Sequence, residues 1–171
     1  MLFSTFAVVM ASLASTAQSA PATGPAGLVV LEQFLSKDGA STITVYGDAK
    51  RDVTIARDTD LFKRCGTNQL TCDNAHLADR NACNSLVNDL RGSGAALPGS
   101  PRSICGTYSG SQCCVSWANP VSGAVRDNLV SAAQKALDGC QGNTGVSGKT
   151  SDTLIGQTCT SQCLSNRASG C

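Results

Sequence analysis

Residues 100–140 read SPRSICGTYSGSQCCVSWANPVSGAVRDNLVSAAQKALDGC, and this stretch decides the fold. It holds four of the ten cysteines and the only tryptophan of the chain. From Cys113 to Trp117 the residues alternate between two faces, which is the period-two pattern of a β-strand. Cys113 and Cys114 therefore point to opposite sides. Because a disulfide between adjacent cysteines would strain the peptide, we expect each of them to bond a different neighbour.

The second half of this stretch predicts an amphipathic helix. Asn119-Pro120 ends the strand, since proline cannot donate a hydrogen bond to a sheet. Between Val125 and Cys140 apolar residues recur at three- and four-residue steps, with charged residues between them. Gly139 lies where the C-terminus of a helix often needs a left-handed residue. We expect one buried stripe on this helix.

A first helix is predicted upstream, after a loop that begins at Cys65 and includes Cys72. Asp73 or Asn74 is a good N-cap, and an apolar stripe follows it until Gly92 ends the helix. The stripe contains Cys83. We therefore expect Cys83 on the buried side of the helix, where it can bond the central strand.

The order of these elements predicts the fold class. Residues 103–108 form a second strand candidate, joined to the central strand by a turn at residues 109–111. Residues 141–150 look like a flexible connection, and residues 154–164 return two cysteines to the body. We expect a small disulfide-rich α+β layer structure, an antiparallel sheet with two helices on one face.

The N-terminus resembles a secretory signal peptide over residues 1–19. These residues carry no charge, and an apolar run is followed by small residues. Cleavage after Ala17 or Ser19 fits better than cleavage after Ala20, because Pro21 follows Ala20. The run is shorter than the roughly 20 apolar residues that span a bilayer, and no second candidate occurs downstream. We expect a soluble protein that is secreted and extracellular.

The cysteine content agrees with secretion. Ten cysteines in 171 residues are more than a reducing cytosol usually tolerates, and the even number predicts five disulfides without a free thiol. The sequence leaves their pairing open. Zinc is the alternative, but no CxxC pair occurs and the single His76 has no partner at ligand spacing, so we expect neither metal nor cofactor. The disulfide candidates are Cys65, Cys72, Cys83, Cys105, Cys113, Cys114, Cys140, Cys159, Cys163 and Cys171.

The cysteines also divide the chain into two regions. All ten lie in residues 65–171, the cysteine-rich domain, whereas residues 20–64 contain none. The boundary coincides with Lys63-Arg64, and a second basic pair stands at Lys50-Arg51. Such pairs resemble processing sites of kexin-type proteases, which would make residues 20–64 a pro-region. The alternative is that both pairs are solvated loop charges.

The cysteine-free segment itself predicts a β-hairpin. Residues 28–35 and 42–46 are strand-like, and Lys37-Asp38-Gly39 between them is a plausible turn. If the segment is not cleaved off, this hairpin could extend the main sheet.

Three motifs of the cysteine-rich domain are specific enough to compare with known families. They are SPRSIC at residues 100–105, CCVSW at residues 113–117 and CTSQCLSNR at residues 159–167. They resemble the small secreted fungal proteins of the WD-like domain family, which are unrelated to WD40 propellers. The resemblance covers Cys65 to Cys171. It implies secretion and a disulfide-rich domain, and it implies no particular reaction.

A looser similarity concerns layout alone. The order of helix, cysteine-bearing strand and helix is similar to that of fungal necrosis-inducing effectors and of the smut killer-toxin fold. A similarity of layout does not transfer function by itself.

The sequence contains few candidate catalytic residues. His76, in the first turn of the predicted helix, is the only histidine, and Asp79 follows at a helical spacing that allows a surface contact. Glu32 is the only glutamate and lies in the cysteine-free segment, so no pair of carboxylates suggests a glycosidase. We expect no catalytic residues and no enzymatic activity, a secreted hydrolase being the alternative.

Surface binding has other candidates. Trp117 would be a ligand-binding aromatic if exposed, but its place on the central strand favours the core. Arg102, Arg126 and Arg167 could cluster in space, or each could be solvated or locally paired. A formal net charge of +1 and few aromatic residues argue against nucleic-acid binding.

The sequence thus favours a non-enzymatic secreted protein that acts on an extracellular target, as a host-directed effector does. The target would be a host protein, a receptor or a wall polymer. One alternative is an antagonistic killer-type toxin, and another is a carbohydrate-binding component of the producer's own wall. No coiled coil or internal repeat is present, and we expect a monomer.

Overall fold

The computed structural model describes residues 27–48, 65–97, 101–140 and 145–169. These residues form one seven-stranded antiparallel sheet in the order β1-β2-β4-β5-β7-β6-β3, covered by two α-helices. The elements in chain order are β1 (Leu28–Leu35), β2 (Ser41–Asp48), β3 (Gln69–Cys72), α1 (Arg80–Leu90), β4 (Pro101–Tyr108), β5 (Ser111–Trp117), α2 (Val130–Gly139), β6 (Gly148–Ile155) and β7 (Thr158–Ser165). The small α+β class is confirmed, with more sheet than the sequence suggested.

Both helices pack on the same side of the sheet, which we call the inner face. α1 lies over β4 and β5, and α2 lies over β6 and β7. The largest side chains between the layers are fully buried, among them Leu86 of α1, Ile104 of β4 and Leu164 of β7. Burial of a side chain of this size contributes about 1.5 to 3 kcal/mol, so this layer is the main core.

The central hairpin of β4 and β5 forms as predicted. Ser109 and Gly110 both adopt positive φ, 48° and 80°, which is the two-residue turn that matches the twist of paired strands. The adjacent cysteines of β5 also separate as predicted. Cys113 bonds Cys83 of α1 on the inner face, and Cys114 bonds a cysteine of β4 on the opposite face, which we call the outer face.

The predicted N-terminal hairpin is present as β1 and β2, and β2 extends the sheet by pairing with β4. The turn between the strands is closed by Asp38, whose carboxylate accepts hydrogen bonds from the Ser36 hydroxyl and from the Ala40 backbone N–H. These two hydrogen bonds lower the pKa of Asp38 from its usual value, and the bond from the Ser36 hydroxyl contributes most.

The start of α1 corrects one prediction. The N-cap is Asp79, whose carboxylate accepts the N–H of Ala82 at 2.9 Å, and not Asp73 or Asn74. Asp73 instead caps a tight turn by accepting the N–H of Ala75. An isolated β-bridge between Ala78 and Val146 keeps the chain extended up to the true cap.

The end of α2 corrects the prediction about Gly139. Gly139 is the last helical residue, and it is not among the glycines with positive φ. A Cβ at this position would collide with the side chain of Leu70 on β3. Gly139 therefore leaves room for the Leu70 side chain beside α2, and its role is not the left-handed turn that we expected.

Three strands were not predicted, namely β3, β6 and β7. Residues 69–72 were expected in a loop, and the connection after α2 was expected to remain flexible until Thr150. β3 and β6 pair with each other there, and β6 pairs with β7 through a two-residue turn at Gly156 and Gln157. The connection between α2 and the sheet is thus shorter than the sequence suggested.

Several predictions concern residues outside the described ranges. They are the signal peptide at residues 1–19, the basic pairs Lys50-Arg51 and Lys63-Arg64, and Cys171. In the part of the chain that the structure describes, no helix is long and apolar enough to cross a membrane.

Candidate interaction surface

Disulfides clamp the sheet on both faces. On the inner face Cys72–Cys140 joins β3 to the end of α2, and the bond from α1 to β5 was described above. Cys65–Cys159 ties the segment before β3 to β7. Cys163 is disulfide-bonded as well, and none of the described cysteines is free.

The outer face carries a small core of its own. Cys105 and Cys114 are directly opposed in the β4–β5 ladder, and their disulfide, the outer disulfide, is buried. Leu28 of β1 and Ala168 of the C-terminal tail pack with it. The tail after β7 therefore crosses the outer face of the sheet. No local sequence pattern predicted this arrangement.

The backbone of this tail is held at successive residues. The Ser165 hydroxyl lies 3.4 Å from both the N–H and the C=O of Arg167. The N–H of Asn166 donates to the C=O of His76 at 3.0 Å, and Ala168 is 1% exposed. The Arg167 side chain, by contrast, is exposed. A cation is thus presented to solvent by a clamped segment of chain.

The same backbone bond brings two candidate residues to one place. His76 is exposed, in the loop before α1, and its φ of +57° is a left-handed conformation. Asn166 and Arg167 are also exposed. We call His76, Asn166 and Arg167 the tail patch. It contains an imidazole, an amide and a guanidinium, and each of these groups can bind carboxylate or hydroxyl groups.

His76 does not lie in the first turn of α1, contrary to the sequence expectation, because the helix begins four residues later. Asp79 uses its carboxylate to cap the helix by accepting the N–H of Ala82. Its described role is therefore the capping of α1 rather than the orientation of a histidine base.

Glu32 takes part in a structural ion pair. Its carboxylate lies 2.5 Å from the guanidinium of Arg126, whose side chain is 10% exposed. The same guanidinium stacks over the ring of Phe34, 4.5 Å from its centroid. Arg126 thereby holds β1 to the turn before α2. Arg126 was expected either to cluster with Arg102 and Arg167 or to be solvated or locally paired, and the structure shows a local pair.

The two other surface candidates are not equally exposed. Trp117 is 1% exposed, so its interpretation as a core residue is confirmed, and it is not a surface aromatic. Arg102 is half-buried, 3.5 Å from the carboxylate of Asp48, and its Nε donates to the C=O of Trp117. Of Trp117, Arg102 and Arg167, only Arg167 is exposed.

Among the described residues, no group of three or more histidine, cysteine, aspartate or glutamate side chains is placed to hold a metal ion. The tail patch contains a single imidazole and no carboxylate.

The chain was compared with curated proteins, with solved structures and with protein-family models. Neither the curated proteins nor the solved structures gave a match. A family model described as Fungal WD-like matches residues 31–171. The matched region begins inside β1, so it includes the N-terminal hairpin as well as the cysteine-rich domain. The match covers most of the chain, and the protein therefore belongs to the fungal WD-like family.

Proposed function

We propose that this protein is secreted and acts without catalysis, by binding a host protein, a receptor or a wall polymer outside the producing cell, as a host-directed effector does. The observation that carries the proposal is the exposed Arg167 on a tail whose backbone is fixed. The disulfides on both faces support it, since they suit an oxidising extracellular environment.

A fixed backbone matters for binding because a mobile segment loses conformational entropy when it is captured. That cost is about 0.5 to 1.5 kcal/mol for each immobilised side chain, and ordering of the backbone adds to it. The tail patch has its backbone order before any partner arrives. The side chains of His76, Asn166 and Arg167 remain to be fixed on binding.

The chemistry of the patch suggests the class of target surface. The guanidinium of Arg167 offers planar donors that fit a carboxylate in a bidentate manner, and the Asn166 amide adds both a donor and an acceptor. The formal net charge of the whole chain is only +1. Long-range attraction is therefore weak, and recognition depends on contacts with acidic or hydroxyl-rich groups.

The test compares four samples of the secreted protein: the native form, a reduced and alkylated form, Arg167→Ala and Lys135→Ala. Lys135 is an exposed cation on α2, on the other side of the sheet, and serves as the matched control. Each sample is applied to host tissue in a cell-death assay and to chitin and β-glucan in a pull-down. We expect the native form and Lys135→Ala to act or bind, and the other two to fail.

Two results would contradict the proposal. Release of soluble sugars or peptides from a wall polymer, with turnover, would show that the protein is an enzyme. Equal activity of Arg167→Ala and the native form in every assay would show that the tail patch is not the binding surface.

A further inference from the structure

The turn between β1 and β2 contains one of the two Asp-Gly pairs of the chain. The pairs are Asp38-Gly39 in this turn and Asp138-Gly139 at the end of α2. Among aspartates, those followed by glycine form isoaspartate most readily, because glycine has no Cβ to hinder the approach of its nitrogen to the aspartate side chain. The two pairs share this chemistry and lie in different surroundings, so Asp138-Gly139 serves as an internal reference.

Isoaspartate formation consumes and releases only water. The backbone nitrogen of Gly39 attacks Cγ of Asp38, a C–N bond forms, the nitrogen loses its proton, and a carboxyl oxygen leaves as water. Water then opens the resulting five-membered succinimide. When it adds to the original backbone carbonyl, the main chain runs through the Asp38 side chain and is longer by one methylene group.

The turn engages both reacting groups in hydrogen bonds. The N–H of Gly39 donates to the C=O of Ser36 at 2.9 Å. The carboxylate of Asp38 accepts the Ser36 hydroxyl and the N–H of Ala40. These bonds stabilise the ionised carboxylate, whereas loss of its oxygen as water requires a protonated carboxyl group. Ring closure must therefore break hydrogen bonds at both the nitrogen and the carboxylate.

The turn is itself fixed to α1. The backbone N–H of Lys37 donates to the carboxylate of Asp89 at 2.8 Å, and Asp89 is 7% exposed. The ammonium group of Lys37 donates to the C=O of Arg91 at the end of the helix, also at 2.8 Å. A third contact joins the hydroxyls of Ser41 and Ser85 at 2.8 Å. Local opening of the turn has to break these contacts with α1.

We propose that Asp38-Gly39 is a site of spontaneous isoaspartate formation, and that docking of the turn on α1 keeps the site closed. Conversion then requires that the turn first leaves α1. The longer backbone of the product does not restore the hydrogen bond between Gly39 and Ser36 in its native geometry, so redocking does not reverse the change. Isoaspartate at position 38 thus marks protein molecules whose hairpin has left the helix.

The second Asp-Gly pair is held by other contacts. Asp138 and Gly139 lie in the last turn of α2, and the carboxylate of Asp138 accepts the side-chain amide of Gln134 at 2.9 Å. The next residue, Cys140, is bonded to β3 by a disulfide. These contacts do not involve the hairpin, so opening of the turn leaves them intact. The tail patch has no residue in the turn, and the proposal is therefore independent of the proposed function.

The test incubates the protein at neutral pH for several weeks and measures isoaspartate at each pair, by chromatography of its peptides with mass spectrometric fragmentation. The samples are the native protein, Ser36→Ala, Ser131→Ala and a reduced and alkylated chain. Ser36→Ala removes the hydroxyl that binds the Asp38 carboxylate. Ser131 is an exposed serine of α2, and its replacement is the matched control. Circular dichroism before incubation establishes that both variants are folded.

We expect conversion at both pairs in the reduced and alkylated chain, and much slower conversion in the native protein and in Ser131→Ala. Conversion of Asp38 in Ser36→Ala should be roughly tenfold faster than in the native protein, because loss of one hydrogen bond to a charged group shifts a local opening equilibrium by about that factor. Asp138 in the same sample should convert no faster than in the native protein.

Four results would overturn the proposal. They are an unfolded chain that forms no isoaspartate at Asp38, a native protein in which Asp38 converts as fast as in the unfolded chain, a Ser36→Ala variant that converts no faster than the native protein, and a Ser36→Ala variant in which both pairs accelerate equally. The last result would show that conversion follows global unfolding and not opening of the turn.

Discussion

Replacing Glu32 by glutamine tests how β1 is attached to the rest of the fold. The Arg126 side chain is 10% exposed and that of Glu32 is 53% exposed. The carboxylate is therefore still solvated by water, whereas the guanidinium needs the carboxylate as its partner. Glu32→Gln keeps the shape and one acceptor and removes the charge. Arg126 then remains nearly buried, with the ring of Phe34 as its main electrostatic partner.

The expected cost follows from burial. Removing one member of a fully buried ion pair costs about 3 to 5 kcal/mol, and an exposed pair contributes about 0 to 1 kcal/mol. With one partner buried and the other half exposed, we expect Glu32→Gln to lower the free energy of unfolding by about 1 to 2 kcal/mol. For a chain of this size that corresponds to a Tm lower by about 3 to 6 °C.

The assay is a double-mutant cycle in urea at pH 7, with Glu32→Gln, Arg126→Met and the double variant. Methionine preserves much of the apolar stem and removes the charge together with Nε, which is buried without a partner. We expect the double variant to lose less stability than the sum of the two single variants. A coupling free energy below about 0.5 kcal/mol would refute the reasoning, since unconnected sites are additive to that extent.

Three further substitutions have directions that the structure fixes. Ser103 and Ser116 are opposite each other in the β4–β5 ladder, and both hydroxyls are buried without a hydrogen-bond partner. Replacing both serines by alanine should therefore raise the free energy of unfolding, measured in urea, by about 1 kcal/mol or more. Gly156→Ala should lower stability by about 1 to 3 kcal/mol in the same assay, because Gly156 has a φ of +60° and its Cβ would meet the backbone of Ser122 and Ala124. Replacing both cysteines of Cys65–Cys159 should cost about 3.6 kcal/mol by loop entropy, because Cys72–Cys140 shortens the loop that it closes to about 28 residues; the outer disulfide, with its separation of 9, should cost about 2.6 kcal/mol. Calorimetry of the two variants shows which disulfide contributes more to stability.

The parts of the fold that sequence could predict are those set by local periodicity. The alternation through Cys113 and Cys114 predicted two disulfides on two faces, and the structure confirms both. The N-terminal hairpin was equally readable, because two strand-like runs flank a turn that contains Gly39. In each case the informative residues are neighbours in the chain.

The parts that sequence could not predict depend on distant partners. β3 has only four residues, and its pairing with β6 is decided by chain that lies far downstream. Asp73 and Asp79 are equally good caps by composition, and the bridge between Ala78 and Val146 decides between them. The tail patch depends on one backbone hydrogen bond from Asn166 to His76, which involves no side-chain pattern.

The hairpin and the cysteine-rich domain form one folding unit without a covalent link other than the chain itself. Ile43 and Val45 of β2 are at most 1% exposed, and the N–H of Lys37 donates to Asp89 of α1 at 2.8 Å. Residues 20–64 contain no cysteine, so no disulfide can secure the hairpin. Cleavage after Arg64 remains a prediction, but its physical consequence follows from these contacts. The cut would leave two chains held by strand pairing and burial, because departure of the hairpin would expose the backbone edge of β4 and the core side chains that pack against Ile43 and Val45. Native mass spectrometry would then show both chains together, whereas denaturing conditions would separate them without any reductant.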